Sequence, residues 1–400
     1  MSRALFLFGL IALLAGCDVE RPKELTCATF PGGQSVAKST QGRDTPTDAA
    51  LATAEMVSRT EDQIESAIRA EVARTPARRT VTFDVITLSA GGQYGAFGAG
   101  FLTGWSQNRA TPRPVFNLVT GVSAGATLAP AAFGGPRFDP LLRYYRGLGR
   151  DEVLRLRPLP AWLSAPSLGD PAPLSAFLDR ALDAELLSAI ATGHAEGRRL
   201  LIAATNIDTG AGEILDLGEA VSAPMAAPCL REAILASAAV PALFPPRNIN
   251  GALYADGGLR QHVFLDAIDE ARRTVERDAG VDIRVEAYIV VNGALRGPDR
   301  RVDDRLVAYT VRSLDTLADE VLRDSVEEAV AFAESRADWR VRGIRADLPP
   351  GTCAGKGEAA IGGFDPCLTR ALFDHGVAMG TATPINWLSA ADLRALAAEL

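Results

Sequence analysis

From about residue 80 onward, apolar runs of strand length alternate with segments of helical periodicity. Val81-Thr82-Phe83-Asp84-Val85-Ile86-Thr87-Leu88-Ser89 reads as a first core strand, and Val115–Val119 as a second with the branched and aromatic residues of a buried strand. Leu200–Thr205 and Val285–Val291 are further buried strands; Glu213–Leu217 reads as a partly exposed one and Ala252–Ala255 as a short one. Between them, helices are predicted over Tyr94–Asn108, Pro140–Tyr145, Leu174–Ile190, Leu230–Ala238, residues 311–338 and residues 367–380. Alternation of this kind predicts a three-layer α/β/α architecture with a mainly parallel central sheet. Ahead of it, Leu51, Met56, Val57, Ile64, Ile68 and Val72 recur at helical spacing, predicting an amphipathic helix over residues 48–73. Residues 18–47 are polar, with scattered Pro, Gly, Thr and Ser, and read as a tether.

The N-terminus changes this picture. Arg3 precedes an apolar run, Ala4–Leu14, too short to span a bilayer, and Leu14-Ala15-Gly16-Cys17 ends it. This resembles the bacterial lipobox. The resemblance implies cleavage before Cys17, acylation of that cysteine, and a lipoprotein held on an envelope membrane facing the periplasm. Asp18 does not decide between inner and outer membrane. The alternative is an ordinary secretory signal with Cys17 incidental. The domain division is then a signal peptide at 1–16, tether and helix at 17–79, a main domain at 80–292 and a C-terminal extension at 293–400 packed on it.

Composition excludes some partners. A formal net charge of −8 over 400 residues leaves no basic surplus for nucleic acid. Cys27, Cys229, Cys353 and Cys367 lack zinc-ligand spacing, and with three histidines no metal site is expected. No cofactor is called for either. An even cysteine count in an exported chain suggests disulfides, with three connectivities open; Cys353 and Cys367, which bracket a Gly-rich loop, are the favoured pair.

Three stretches carry chemistry. Gly121-Val122-Ser123-Ala124-Gly125 lies between the second strand and a run of small residues able to start a helix. A turn this tight needs glycine, and it leaves the Ser123 hydroxyl at its tip, a candidate nucleophile; an ordinary glycine-bracketed turn is the bland alternative. The first strand runs into Ser89-Ala90-Gly91-Gly92-Gln93-Tyr94, whose bare amides suit an anion, either a nucleotide phosphate or the oxyanion of acyl transfer. The dinucleotide and P-loop patterns do not fit, which favours the oxyanion. Asp256-Gly257-Gly258 ends a later strand and is either a carboxylate presented without bulk or a plain turn.

Together, in this order and spacing, the three stretches resemble the patatin-like phospholipases. So do Ala236-Ser237-Ala238-Ala239-Val240-Pro241 and, more weakly, Thr205–Gly210. The resemblance covers about residues 83–265. It implies a lipid acyl hydrolase acting on lipid or phospholipid esters, with Ser123 as nucleophile and Asp256 as its base. Gly91, Gly92 and the Ala124 amide would be oxyanion donors. Ala90 stands where the family usually has glycine, Tyr94 where it has arginine or lysine, and Gln261-His262-Val263 where it has Asn-x-Pro.

Two other readings compete. One is a Ser-His-Asp triad; among His194, His262 and His375, His262 follows Asp256 most closely, unless it is a polar residue on a surface loop. His194 reads as a loop residue and His375 as a solvated or supporting position on a helix. The other is a non-catalytic lipid-anchored binding protein on the same fold. Leu156–Pro166, with Trp162, reads either as a lid or membrane-facing loop or as packing over the sheet.

The lipobox has a direct test. Cys17→Ser is expected to leave an unacylated protein that moves into the aqueous phase on detergent phase separation. A variant that stays with the detergent like its parent contradicts the anchor.

Overall fold

The computed structural model describes residues 21–30, 46–158, 161, 165–263, 265–293, 302, 306–349, 351–353 and 363–398. The signal segment, Cys17, and Trp162 with its neighbours Leu159, Pro160, Leu163 and Ser164 lie outside the described residues.

After helix α1 (Pro46–Arg74) come β1 (Thr80–Leu88), α2 (Gly95–Gln107), β2 (Leu118–Val122), α3 (Ala124–Gly134), α4 (Ala172–Ala181) and α5 (Ala184–Ala195). Then follow β3 (Arg199–Asn206), β4 (Ala211–Asp216), α6 (Ala226–Ser237), β5 (Arg247–Ile249), β6 (Ala252–Asp256) and α7 (Asp266–Ala279). The chain closes with β7 (Asp282–Val291), α8 (Leu306–Glu334), β8 (Trp339–Arg345), α9 (Pro366–Thr381), β9 (Leu388–Ser389) and α10 (Ala390–Ala398). The sheet order is β9-β8-β7-β1-β2-β3-β6-β5, with β4 also paired to β3. Strands β8, β7, β1, β2 and β3 run parallel; β9, β4 and β6 enter antiparallel, and β5 pairs antiparallel with β6.

Each face of the sheet has its own apolar layer. Phe97 and Phe101 of α2, Leu128 of α3, Phe177 of α4, Leu230 of α6 and Phe373 of α9 fill one. Ile64 and Ile68 of α1, Ile268 and Val275 of α7, Val326 and Val330 of α8, and Leu393 of α10 fill the other. The architecture is therefore three-layer α/β/α, as the alternation predicts.

Several boundaries differ from the pattern, each for a local reason. The predicted helix Leu174–Ile190 is two helices, because Asp183 accepts from the Leu186 amide at 2.9 Å and caps α5 anew. Strand β2 starts at Leu118, not Val115. Asn117 instead closes the strand entry, its amide donating to Asp84 O and its Oδ1 accepting from Asp84 N, both at 2.8 Å. The long helix ends at Glu334, and Trp339–Arg345 pairs parallel to β7 as a strand. Helices α7 and α10 are additional elements.

Residues 21–30 are not a free tether. The Leu25 amide donates to Asn248 O at 2.9 Å, and Asn250 N to Leu25 O at 3.0 Å. The Asn250 side chain bonds Cys27 N, Cys27 O and Phe30 O, and Cys27 is disulfide-bonded to Cys229. A second disulfide joins Cys353 and Cys367 at the start of α9.

Helices α2 and α9 touch through glycines. A Cβ on Gly100 would sit 2.0 Å from Phe373 O, one on Gly104 2.3 Å from Val377 O, and one on Gly376 2.3 Å from Phe97 O. The backbones are in direct contact, so no side chain fits between them. Gly376→Leu is therefore expected to destabilise the fold by about 1–3 kcal/mol through overpacking, measured as a lower urea midpoint. An unchanged midpoint contradicts this contact.

Candidate active site

The turn after β2 is strained and sterically closed. Ser123 has φ 52° and ψ −117°, a conformation that costs a non-glycine residue about 1–3 kcal/mol. A Cβ on Gly121 would meet Gly125 O at 2.6 Å, and one on Gly125 would meet Leu88 O at 2.0 Å. The two glycines let α3 start hard against the end of β1, with Ser123 at the bend.

Asp256 reaches Ser123 through the sheet. Strand β4 occupies one edge of β3, so β2 and β6 share the other. Val122 pairs with Ala203 and Asp256 with Ala204, the next residue of β3. The end of β2 thus abuts the end of β6 on a common backbone. The Ser123 hydroxyl donates to Asp256 Oδ2 at 2.6 Å, within reach for proton transfer.

Both partners are fixed from behind. The Gly258 amide donates to Asp256 Oδ1 at 2.8 Å, and the Asp256 amide donates to Ala239 O at 2.9 Å. Thr205 Oγ1 donates to Asp256 O at 2.9 Å. The Ser123 amide donates to Ser237 Oγ at 3.0 Å, and that hydroxyl donates onward to Ala203 O at 2.6 Å. Ser237 is fully buried, and nothing in Ala236-Ser237-Ala238 itself marks it for this contact.

The carboxylate is almost out of water, at 5 % exposure. Burial pushes its pKa up to about 6, against the lowering effect of its bonds from Ser123 and Gly258. An aspartate near 6 is a better proton acceptor at neutral pH than one near ~3.9.

The glycine loop faces the same centre. Gly91, Gly92, Ser123, Ala124 and Asp256 all line one cavity of about 420 Å³. Ala124 is the first residue of α3, where backbone amides have no intrahelical acceptor. The loop is clamped to the end of β7: the Asn292 amide donates to Ser89 Oγ at 2.9 Å and its Nδ2 to Ser89 O at 2.8 Å. A Cβ on Gly91 would collide with Asn292 O at 2.4 Å, and Gly92 has φ +52°. Asn292 is distant in sequence and outside any motif, so no local signal marks it. Ala90 and Tyr94, the two departures in the loop, also line the cavity. The Gln93 side chain accepts from the Asp365 amide at 3.1 Å, which joins the loop to the cap of α9. The rest of the wall is mostly apolar, with Leu148, Leu154, Leu243, Phe244, Leu322 and Phe364 among it.

The histidines do not join the pair. His262 is not on the surface: it is 2 % exposed and lines the cavity. Its Nε2 lies 3.1 Å from Gly258 O, so that nitrogen carries the hydrogen, while Nδ1 is sealed from solvent with no partner among the described residues. Burial lowers its pKa to about 4. Neither nitrogen is bonded to Ser123, whose hydroxyl has Asp256 as its one bonded partner among the described residues. His194 sits on α5 rather than in a loop, 4.0 Å from Asp216, and His375 on α9 lies against the Phe97 ring. Among the described residues no group of His, Cys, Asp and Glu is placed to hold a metal ion, and no helix is long and apolar enough to cross a membrane.

Residues 86–269 match the family model of the patatin-like phospholipases. A patatin-like phospholipase domain is thus present, and its span takes in the glycine loop, Ser123, Ser237 and Asp256. No curated protein matches the chain in sequence.

Ser237→Ala would leave the Ser123 amide and Ala203 carbonyl without their shared partner in a dry core. The expected result is a stability loss of about 1–3 kcal/mol together with a lower kcat, read by urea denaturation and ester turnover. Parent-like values of both contradict the role assigned to Ser237.

Proposed function

We propose that the protein is a serine acyl hydrolase that cleaves carboxylic esters of membrane lipids or phospholipids, with Ser123 and Asp256 as a catalytic dyad. The observation that carries this is the 2.6 Å bond between Ser123 Oγ and the buried Asp256 carboxylate, at the wall of a largely apolar cavity. The patatin-like phospholipase domain supports the same class of reaction.

In this mechanism Ser123 Oγ attacks the ester carbonyl carbon as its proton passes to Asp256. The carbonyl oxygen becomes an oxyanion facing the amides of Gly91, Gly92 and Ala124. Collapse breaks the bond to the alcohol oxygen, which takes the proton from Asp256 and departs. The acyl group is now on Ser123. Water gives a proton to Asp256 and attacks the acyl carbon; the second tetrahedral intermediate releases the fatty acid, and Ser123 recovers its proton. No redox change occurs, and each proton that Asp256 takes it returns.

The apolar wall suits an acyl chain, and the esters it would act on lie in membranes. Acylation at Cys17, inferred from Leu14-Ala15-Gly16-Cys17, would hold the enzyme at such a surface in the bacterial envelope. Residues 293–400 would then form an extension that completes the cavity, since Leu322, Phe364 and Leu368 stand in its wall.

Groups acting as a unit lose activity non-additively. Ser123→Ala and Asp256→Asn are each expected to abolish fatty acid release from phospholipid vesicles and hydrolysis of a soluble ester, with the double variant little worse than either. His262→Ala, His194→Ala and His375→Ala are expected to keep activity within about tenfold, about 1.4 kcal/mol of transition-state stabilisation. A histidine variant that folds normally yet falls by several orders of magnitude overturns the dyad in favour of a triad.

A further inference from the structure

Beside the cavity lies a second hollow, of about 20 Å³, room for about one water. Its wall is apolar apart from the Thr127 and Tyr145 hydroxyls. Those two side chains also line the active-site cavity, so they stand between the two spaces.

Two helices independently place the hollow as a continuation of the cavity. On α3, Ala124 and Thr127 face the cavity, as does Ser123 at its cap, and Thr127, Pro130 and Ala131 face the hollow. On α4, Leu174 faces the cavity, and Phe177, Leu178 and Ala181 face the hollow. At ~1.5 Å rise per residue, Ala131 lies roughly 10 Å along α3 from Ala124. The same walls therefore run from beside Ser123 into the hollow, interrupted by the Thr127 side chain and the Tyr145 ring bonded to it.

That ring is held in place. Tyr145 Oη donates to Thr127 Oγ1 at 2.5 Å, and Thr127 Oγ1 donates to Ala124 O at 2.6 Å. The Tyr145 ring stands edge-on to Tyr144 and Phe177, which are themselves stacked with centroids 3.6 Å apart. A tyrosine in an apolar wall needs a partner for its hydroxyl, and here the partner hangs from the residue next to Ser123.

We propose that Tyr145 is a specificity-determining partition: it closes the acyl channel along α3 and limits the length of the acyl chain that the site accepts. The proposal rests on the acyl hydrolase function above and adds to it which end of the cavity receives the chain. A chain long enough to meet Tyr145 cannot extend further without displacing a packed ring. Each methylene buried beyond it would be worth about fourfold in kcat/KM.

The test is hydrolysis of p-nitrophenyl butyrate, octanoate, laurate and palmitate by the full chain and by three variants. Tyr145→Ala is expected to raise the laurate-to-butyrate ratio of kcat/KM at least tenfold over the parent. Tyr145→Leu, which keeps an apolar filler if the alanine variant folds poorly, is expected to move the ratio the same way by a smaller factor. Tyr145→Phe keeps the ring and is expected to hold the ratio within twofold. A ratio unchanged in folded Tyr145→Ala and Tyr145→Leu, or losses equal at every chain length, overturns the partition while the hydrolase stands. A parent that cleaves none of the four esters and is not labelled at Ser123 by a fluorophosphonate contradicts the hydrolase itself, and the partition with it.

Discussion

The site depends on one shared strand edge. Strand β3 offers the same edge first to β2 and then to β6, so that Val122 and Asp256 pair with the consecutive residues Ala203 and Ala204. Ser123 and Asp256, 133 positions apart, are thereby held at neighbouring strand ends, and their side chains meet at 2.6 Å. Side-chain flexibility does not have to find this geometry. The sheet sets it in advance, which is the condition under which the proposed base would be effective.

Holding the pair there has costs that the surrounding structure offsets. Ser123 sits at positive φ, and the Asp256 carboxyl is buried at the expense of its charged form. Close glycine contacts at Gly121 and Gly125 press α3 onto the end of β1. Ser237 ties the Ser123 amide to the Ala203 carbonyl of β3, and the Gly258 amide holds the second carboxylate oxygen. Strain and burial thus fall on Ser123 and Asp256 and are balanced by the core around them. The C-terminal residues take part: α9 lies on α2 through glycines, Gln93 joins its cap, and Phe364 and Leu368 complete the cavity.

What could be read from the sequence follows from distance along the chain. The Gly-x-Ser-x-Gly turn, the glycine loop and Asp-Gly-Gly are each contiguous, and each can be picked out from a few residues. Strand and helix alternation likewise exposes the three layers. Ser237 and Asn292 act through single contacts with residues far away in sequence, and nothing local marks them. The glycines Gly100, Gly104, Gly376 and Gly380 look like helix-weakening residues until the helices are seen in contact. Residues 21–30 look like a tether because their polar groups bond to Asn248 and Asn250, and Cys27 to Cys229, partners over two hundred positions away. His262 looks like an exposed neighbour of the site because burial by α8, through Ser325, is not visible from its own segment.

The central claim is that Asp256, with a pKa raised to about 6, is the base that activates Ser123. Its most direct test is the pH dependence of the rate at which a fluorophosphonate labels Ser123. The reagent does not ionise, so the rate follows the activated serine. The account predicts a plateau above about pH 7 and a fall of about tenfold per unit below about pH 6, as Asp256 takes up a proton. A folded Asp256→Asn variant should be labelled slowly at every pH. Labelling of that variant at the parent's rate, with the same pH profile, would contradict the account.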